Sequence, residues 1–374
     1  MGGKAALLRG ELGEIVLREA VTAERFVDLF SGSGSVSHFV AESLEVPVLS
    51  VDLQHYAAVL AESVTGRTAP TSDAWVKGDW VNQARKAVSD DQAYLSLECD
   101  VEQLEKGSVE RSREKCVQVR PDLFITKHYG GHYFSPQQAF ELDWLYRTLP
   151  QGGQDRILAL AALIQTASSG AAAPGHTAQP FQPTSNLLPY IRKAWSRDIL
   201  AECQVNLSNL ASRHARVKGR VLTQSAESVA SNLGSGDLVF CDPPYSAVQY
   251  SRFYHVLEGI SKGGWPAVFG AGRSPDKPLR KSSSFSLKSE SSSAMKALLK
   301  VLREAECRVI VTFPDAAASN GLSGDDIVAM SLHEWSSSVT YVTSTHSTLG
   351  GSSAVGGRGG RRQLKEAVIY LEPR

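Results

Sequence analysis

Cysteine is scarce and scattered in this chain. Five occur in 374 residues, at Cys99, Cys116, Cys203, Cys241 and Cys307, with no Cys-x-x-Cys pair, so no zinc site is expected. His128, His132, His176, His255 and His346 are equally dispersed, and no metal is expected from them. An excess of one charge is also missing: 39 Lys plus Arg balance 39 Asp plus Glu. Any affinity for nucleic acid must therefore come from local potential rather than net charge. Candidate sources are the runs Arg213–Arg220, Arg273–Lys281 and Arg358–Lys365, each equally readable as a solvated face or loop. Long apolar runs are absent too. Ile157–Ile164 is far too short to span a bilayer, and no signal peptide is seen, so a cytoplasmic protein without membrane contact is expected. What is present suits a large fold: 42% hydrophobic residues can fill one large α/β domain with an inserted subdomain.

The most informative residues are Asp242-Pro243-Pro244-Tyr245. They end the apolar run Asp237-Leu-Val-Phe-Cys241, which reads as a buried strand stopped by prolines. In open α/β sheets ligands bind beyond the carboxyl ends of the strands. A stiff loop there can aim a carboxylate, a proline carbonyl and an aromatic face at one small planar group. An exocyclic amine on a nucleobase matches that set. Its lone pair is delocalised into the ring, so it is a poor nucleophile. Two acceptors, the Asp242 carboxylate and the Pro243 carbonyl, could hold its protons and direct the lone pair outward. Tyr245 could stack on the base, which must leave the duplex to reach such a pocket. An ordinary surface loop after a proline-stopped strand is the competing reading.

The amino-terminal region adds a second element. Phe26–Phe30 reads as a strand, Ser31-Gly-Ser-Gly-Ser35 as a glycine turn, and Val36–Leu44 as a helix. Glycines in such a turn let backbone approach a ligand closely. The third glycine of the dinucleotide fingerprint is missing, which disfavours a nicotinamide cofactor. A second strand, Val46–Asp52, ends in an acid about 20 residues after the turn, where it can accept ribose hydroxyls. Cys241, next to the Asp-Pro-Pro-Tyr loop, is read as a small core residue rather than a nucleophile.

Taken in order, these motifs resemble the Dam-like, alpha-type class of DNA adenine-N6 methyltransferases. Met1-Gly2-Gly3-Lys4 is similar to that family's opening Gly-Gly-Lys motif. Asp28–Gly34 resembles its S-adenosylmethionine (AdoMet) loop, Asp52 its ribose-binding acid, and Asp242–Tyr245 its catalytic motif. Gln249-Tyr250, Phe253–Glu258, Tyr129–Ser135 and Pro174-Gly-His176 also look like family segments. The resemblance implies an α/β fold, a Rossmann-like class I AdoMet-dependent sheet with an inserted, mainly helical target-recognition subdomain. It implies methyl transfer from AdoMet to adenine N6 in double-stranded DNA through a flipped base. Asp242, Pro243, Pro244 and Tyr245 would be catalytic. Gly3, Lys4, Asp28, Phe30, Gly32, Gly34, Asp52 and Leu53 would hold the cofactor, and Tyr250 and Tyr254 would bind substrate. A cognate restriction endonuclease is a candidate partner, and a monomer is expected. Alternatives are N4-cytosine methylation, an RNA amine methyltransferase, or a catalytically inactive nucleic-acid-binding homologue.

The expected organisation has three parts: 1–65 as the first part of the methyltransferase domain, 66–205 as the insertion, and 206–374 as the catalytic part. Helix His55–Val64 closes the first part. The insertion is expected to open polar and irregular. It then turns helical over Pro136–Leu149, Gln154–Ser168 and Leu187–Leu210, with a loop over Ser169–Ser185. The sheet is expected to resume at Gly219–Thr223, with Gln224–Ser228 at that strand's end and a helix over Ser225–Leu233. Further helices are expected over Tyr250–Ile260 and Ser293–Glu306, with a Gly- and Ser-rich loop between them over Gly263–Ser293. A strand Arg308–Phe313 and a hairpin of Ser337–Thr343 with Glu366–Leu371 complete the sheet, linked by the glycine-rich Gly350–Gly360.

Overall fold

The inner strands bury apolar residues on both faces, so the sheet has a core on each side. The computed structural model describes residues 4–347 and 361–374. Its strands are β1 Arg25–Asp28, β2 Val48–Val51, β3 Arg220–Leu222, β4 Asp237–Cys241, β5 Arg308–Pro314, β6 Trp335–Ser347 and β7 Arg361–Pro373. They lie in the order β3-β2-β1-β4-β5-β7-β6. β7 runs antiparallel to β5 and β6, and the remaining pairs are parallel. Val27, Val239, Cys241, Val309 and Val311 face one core, which the helices Ala226–Ala230, Ser291–Glu304 and Gly324–Ser331 help to fill. Phe26, Leu238, Phe240 and Ile310 face the other, with the helices Glu11–Ala20 and Ser35–Ser43. This two-sided burial is what a parallel sheet requires of its strands. The α/β reading from the motifs therefore holds, with a Rossmann-like sheet of the methyltransferase type.

The described residues form two compact units. The sheet unit comprises the described parts of 2–69, 214–250 and 281–374, and the helical unit comprises 70–213 and 251–280. Local rules account for several helices of the second unit. Pro136–Arg147 starts with Ser135 and Gln138 in a reciprocal capping box, with proline at its first position. Asp198 caps Ile199–Ala211 by accepting from the Ala201 N–H at 2.9 Å. Buried Asp143 accepts from the N–H groups of Ile125 (2.9 Å) and Thr126 (2.7 Å) and from the Thr126 hydroxyl (2.6 Å). It thereby satisfies the otherwise orphaned donors that open the helix Phe124–Tyr129.

Three sequence expectations are corrected. The stretch expected to open the insertion as irregular chain is helical, with Asp73–Asp90, Lys106–Val117 and Phe124–Tyr129. Its polar composition hides the few apolar contacts that matter, such as Val88, Cys116 and Leu123 packing on Phe140. Leu187–Leu210 is two helices, Leu188–Trp195 and Ile199–Ala211, because the Asp198 cap restarts the chain. Tyr250–Ile260 also breaks, into Tyr250–Phe253 and His255–Lys262. The terminal hairpin is longer than expected, and the helix Gly324–Ser331 was not foreseen. Gly350–Gly360 lies outside the described residues. Among the described residues no helix is long and apolar enough to cross a membrane.

Asp143→Ala should lower stability by about 2–4 kcal/mol, because it leaves two buried N–H groups without acceptors. Urea denaturation of the full chain checks this; a loss below about 0.5 kcal/mol would contradict the role assigned to Asp143.

Candidate active site

The strand order reverses between β1 and β4, whose neighbours lie on opposite sides. That point is where open α/β sheets bind ligands, and both principal motifs end there. The parallel register pairs Asp28 with Phe240, so the loops leaving the two strands start side by side.

The glycine turn follows β1. Gly32 and Gly34 have φ of 50° and 75°, a region that L side chains enter only at a cost. A Cβ on Gly34 would also lie 2.9 Å from His38 Nε2 and 3.1 Å from the Ala61 Cα. The turn is tied to both neighbouring strands, with the Leu29 N–H donating to the Phe240 carbonyl and the Ser31 N–H to the Val51 carbonyl. Asp52, just beyond β2, accepts from the Gly32 N–H at 2.9 Å through one oxygen and from the Gln54 N–H at 2.8 Å through the other. Phe30 packs edge-on against Phe285, 5.1 Å between centroids. Leu53 follows Asp52 and is half-buried.

Beneath the turn, Asp28 is fully buried. Its Oδ2 accepts from the Ser37 hydroxyl at 2.7 Å, and Ser50 donates to Ser37 at 2.8 Å. Its Oδ1 is buried as well, and a backbone hydrogen bond from Phe30 also serves the carboxylate. Burial pushes its carboxyl up to about 7; the Ser37 bond opposes this, while Asp242 and Asp52 add to it. Adjacent Cys241 is buried and its thiol is pushed up by burial, which fits a core residue and not a thiolate nucleophile.

The Asp-Pro-Pro-Tyr loop is held from three sides. β4–β5 register pairs Cys241 with Val311, which brings the next residue of β5, Thr312, to Asp242; its hydroxyl donates to Oδ1 at 2.9 Å. Lys4 places its ammonium 3.0 Å from the same oxygen and also on the buried carboxylate of Glu366, on β7. On the far side of the loop, buried Asn320 donates from Nδ2 to the carbonyls of Pro244 (2.9 Å) and Phe285 (3.0 Å), while its Oδ1 faces the Leu322 N–H at 3.3 Å. Ser319 and the Asn320 N–H both approach the Tyr245 carbonyl at 3.4 Å. Tyr245 packs half-buried against the core below.

Of the residues singled out from sequence, Lys4, Asp28, Phe30, Gly32, Gly34, Asp52, Leu53, Asp242–Tyr245 and Tyr250 all belong to the sheet unit. Lys4 reaches the Asp-Pro-Pro-Tyr loop directly. Gly3 lies outside the described residues. Tyr254 belongs to the helical unit, where it lines a cavity of about 10 Å³ with His176 and Leu257. Thr312, Glu366 and Asn320 were missed. Thr312 is a single hydroxyl inside the apolar run Arg308–Phe313, and Glu366 is a buried acid next to the apolar run 367–371 of β7. Both are anomalies of a kind that signals a buried polar partner. Asn320 sits in an alanine- and glycine-rich loop that carries no such signal. Among the described residues no group of three or more His, Cys, Asp or Glu could hold a metal ion.

Two outcomes follow. Unfolded, Asp28 titrates near about 3.9; folded, it holds its proton to about 7. Between those values the folded chain binds more protons, so Asp28 makes stability fall as pH rises through that window. Asp28→Asn should be stabilised relative to wild type at pH 8, by at most about 4 kcal/mol, and not at pH 3; denaturant melts at both values test this, and an equal effect at both would contradict it. Asn320→Ala should cost about 2 kcal/mol by stranding two carbonyls and one N–H, measured by the same denaturant melts.

Residues 196–305, which contain β3, β4 and the Asp-Pro-Pro-Tyr loop, match the family described as D12 class N6 adenine-specific DNA methyltransferase. The chain is 21% identical over 289 residues to Modification methylase LlaI of Lactococcus lactis subsp. lactis, covering 72% of this chain and 39% of that protein. It is 22% identical over 263 residues to Type II methyltransferase M.FokI of Planomicrobium okeanokoites, covering 66% and 34%. The chain thus spans between a third and two fifths of the length of these relatives. The sheet order, the two loops at its switch point and these matches agree with the motif reading: this chain resembles the D12 class N6 adenine-specific DNA methyltransferases, and residues 196–305 carry that family's sequence.

Proposed function

We propose that the chain is a DNA methyltransferase that transfers a methyl group from AdoMet to adenine N6 in double-stranded DNA. One observation carries this reading above the others. The Asp242–Tyr245 loop and the glycine turn leave paired strands at the switch point, and Asp242 is anchored through Oδ1 by Thr312 and Lys4. That anchoring orients a carboxylate which would otherwise rotate freely.

The residues present fit the cofactor. The positive-φ Gly32 leaves nearly open space where a Cβ would stand, with the Phe30 carbonyl oxygen nearest at 3.9 Å, and Asp52 offers acceptors at the end of β2. Gly32, Gly34, Asp52, Phe30 and Leu53 would hold AdoMet, with Gly3 and Lys4 contributing from the amino-terminal motif. Bound there, AdoMet supplies an electrophilic methyl group. The chain's own residues make the amine ready for it. Asp242 and the Pro243 carbonyl accept the two amine protons, so the nitrogen pyramidalises and its lone pair points outward. As positive charge grows on that nitrogen, the adjacent carboxylate stabilises it. Lys4 and Thr312 keep the carboxylate in place, and Asn320 turns the Pro244 carbonyl away from the base. Tyr245 stacks on the flipped base, with Tyr250 as a further contact. The surplus proton leaves to solvent after transfer, so no general base precedes it.

The helical unit is the candidate for target recognition, with Tyr254 as a substrate contact. A cytoplasmic setting and a cognate restriction endonuclease belong to the same reading, given that the relatives are named as modification and type II methylases. Asp at position 242 favours adenine over the N4 of cytosine, which shares the geometry.

Incubating purified full chain with AdoMet and unmethylated genomic DNA, then measuring nucleosides by mass spectrometry, tests the reading. N6-methyladenine should form and should drop by about 100-fold or more in Asp242→Ala. N4-methylcytosine instead would overturn the base, and no product from protein that binds AdoMet would sink the proposal.

A further inference from the structure

We infer that Arg113 and Arg273, within the helical unit, form a site for a phosphodiester group of the DNA backbone. This rests on the reading of DNA as substrate and concerns residues that the methyl-transfer site does not use.

The two arginines come from distant segments and converge on one short stretch. Arg113, on the helix Lys106–Val117, donates from Nε to the Gly131 carbonyl at 3.0 Å. Arg273 donates from Nε to the His128 carbonyl at 2.8 Å. Both guanidiniums are thus fixed by one nitrogen to the segment His128–His132, and each keeps its two terminal nitrogens for another partner. Arginine forks of this kind match the oxygens of a phosphate.

The backbone is shaped to place them. Gly131 has φ of 71°, and a Cβ there would lie 2.8 Å from Arg113 Cγ, so only glycine lets the arginine stem lie on this turn. Arg273 itself adopts φ of 52°, an uncommon conformation for a side-chain-bearing residue. It is held so by paired bonds between Phe269 and Ser274 and by its own N–H donating to the Gly270 carbonyl. The Tyr133 hydroxyl lies 2.8 Å from the Gly272 carbonyl and 2.6 Å from that of Thr177, which ties this turn into the unit. Strain of this sort persists where the surroundings over-determine it, and such places cluster at binding sites.

The charges around the pair are one-sided. Among the described residues neither guanidinium has a carboxylate within ion-pair distance. The acid acting on Arg113 is Glu110, which is exposed and faces Lys106. Lys127 is a further cation beside His128. Burial and the two arginines hold His132 down to about 3, and burial with Arg273 and Lys127 also lowers His128, so both imidazoles are neutral at pH 7. Burial and the charge of Arg273 push Arg113 below its ordinary range. Two half-buried like charges without a counter-ion destabilise the free protein, and an anion between them relieves that cost. The sequence run Arg273–Lys281 contributes through its first residue, held in a built turn, and not as a diffuse basic loop.

The test is the salt dependence of binding by the full chain to a short unmodified DNA duplex, followed by fluorescence anisotropy. Arg113→Gln and Arg273→Gln should each weaken binding and lower the slope of log K against log salt by about 1. Arg→Lys at either position should keep the slope and lose affinity, because the charge remains and the fork does not. Melting temperatures of the free Gln variants should match or exceed wild type, since repulsion is removed. Inorganic phosphate at constant ionic strength should compete with DNA on wild type and not on the double Gln variant. A wild-type slope in the double variant overturns the site, as does a lowered melting temperature that accounts for the weaker binding. Tighter binding of an RNA duplex through the same two residues overturns the DNA assignment. The readout is binding alone, so failure of methylation would sink the activity and leave this site standing.

Discussion

The parallel pairing of β1 with β4 joins residues more than two hundred positions apart, Phe26 with Leu238 and Asp28 with Phe240. Everything at the candidate site depends on it. It places the glycine turn beside the Asp-Pro-Pro-Tyr loop, and it sets the switch point at which neighbours diverge. It also concentrates acidic groups, since Asp28, Asp52 and Asp242 act on one another. That crowding has to be offset. Backbone N–H groups serve Asp52, serine hydroxyls serve Asp28, and Lys4 with Thr312 serve Asp242. Each acid is compensated differently, and burial raises Asp28 far enough to hold a proton near neutral pH.

Preorganisation explains the buried polar groups around Asp242. A side chain that must meet a developing charge works best when its own orientation is settled beforehand. Lys4 and Glu366 form a charged pair behind Asp242, and both are largely buried. Removing one member of such a set leaves uncompensated charge, which is costly in a dry site. Asn320 performs the equivalent task for backbone, using all of its amide to fix the loops at Pro244, Phe285 and Leu322.

The helical unit shows the opposite balance at its two arginines. Two buried sets in that unit are well served: Asp143 by three donors, and Ser135 and Gln138 by each other. At Arg113 and Arg273 it holds like charges together on a strained turn. Holding this pair without a counter-ion among the described residues gives up stability there, as expected of a place kept for a ligand.

The sequence by itself determined the nature of the sheet strands, the two loops and their chemistry. Asp242–Tyr245, the glycine turn and Asp52 are contiguous motifs whose meaning depends on neighbours in sequence, and short apolar runs bounded by turn residues mark the strands. The capped helix Pro136–Arg147 was legible for the same reason. Tertiary structure alone decided the rest. The polar opening of the insertion is helical because sparse apolar residues find Phe140, and no local pattern shows that. Thr312 meets Asp242 through strand register, and Lys4 joins Asp242 to Glu366 across segments far apart in the chain. Asn320 and the Arg113–Arg273 pair act on carbonyls far away in the chain, and a carbonyl has no letter in the sequence. Which backbone oxygen a side chain will find is a property of the folded path, so those roles became visible only once the path was known.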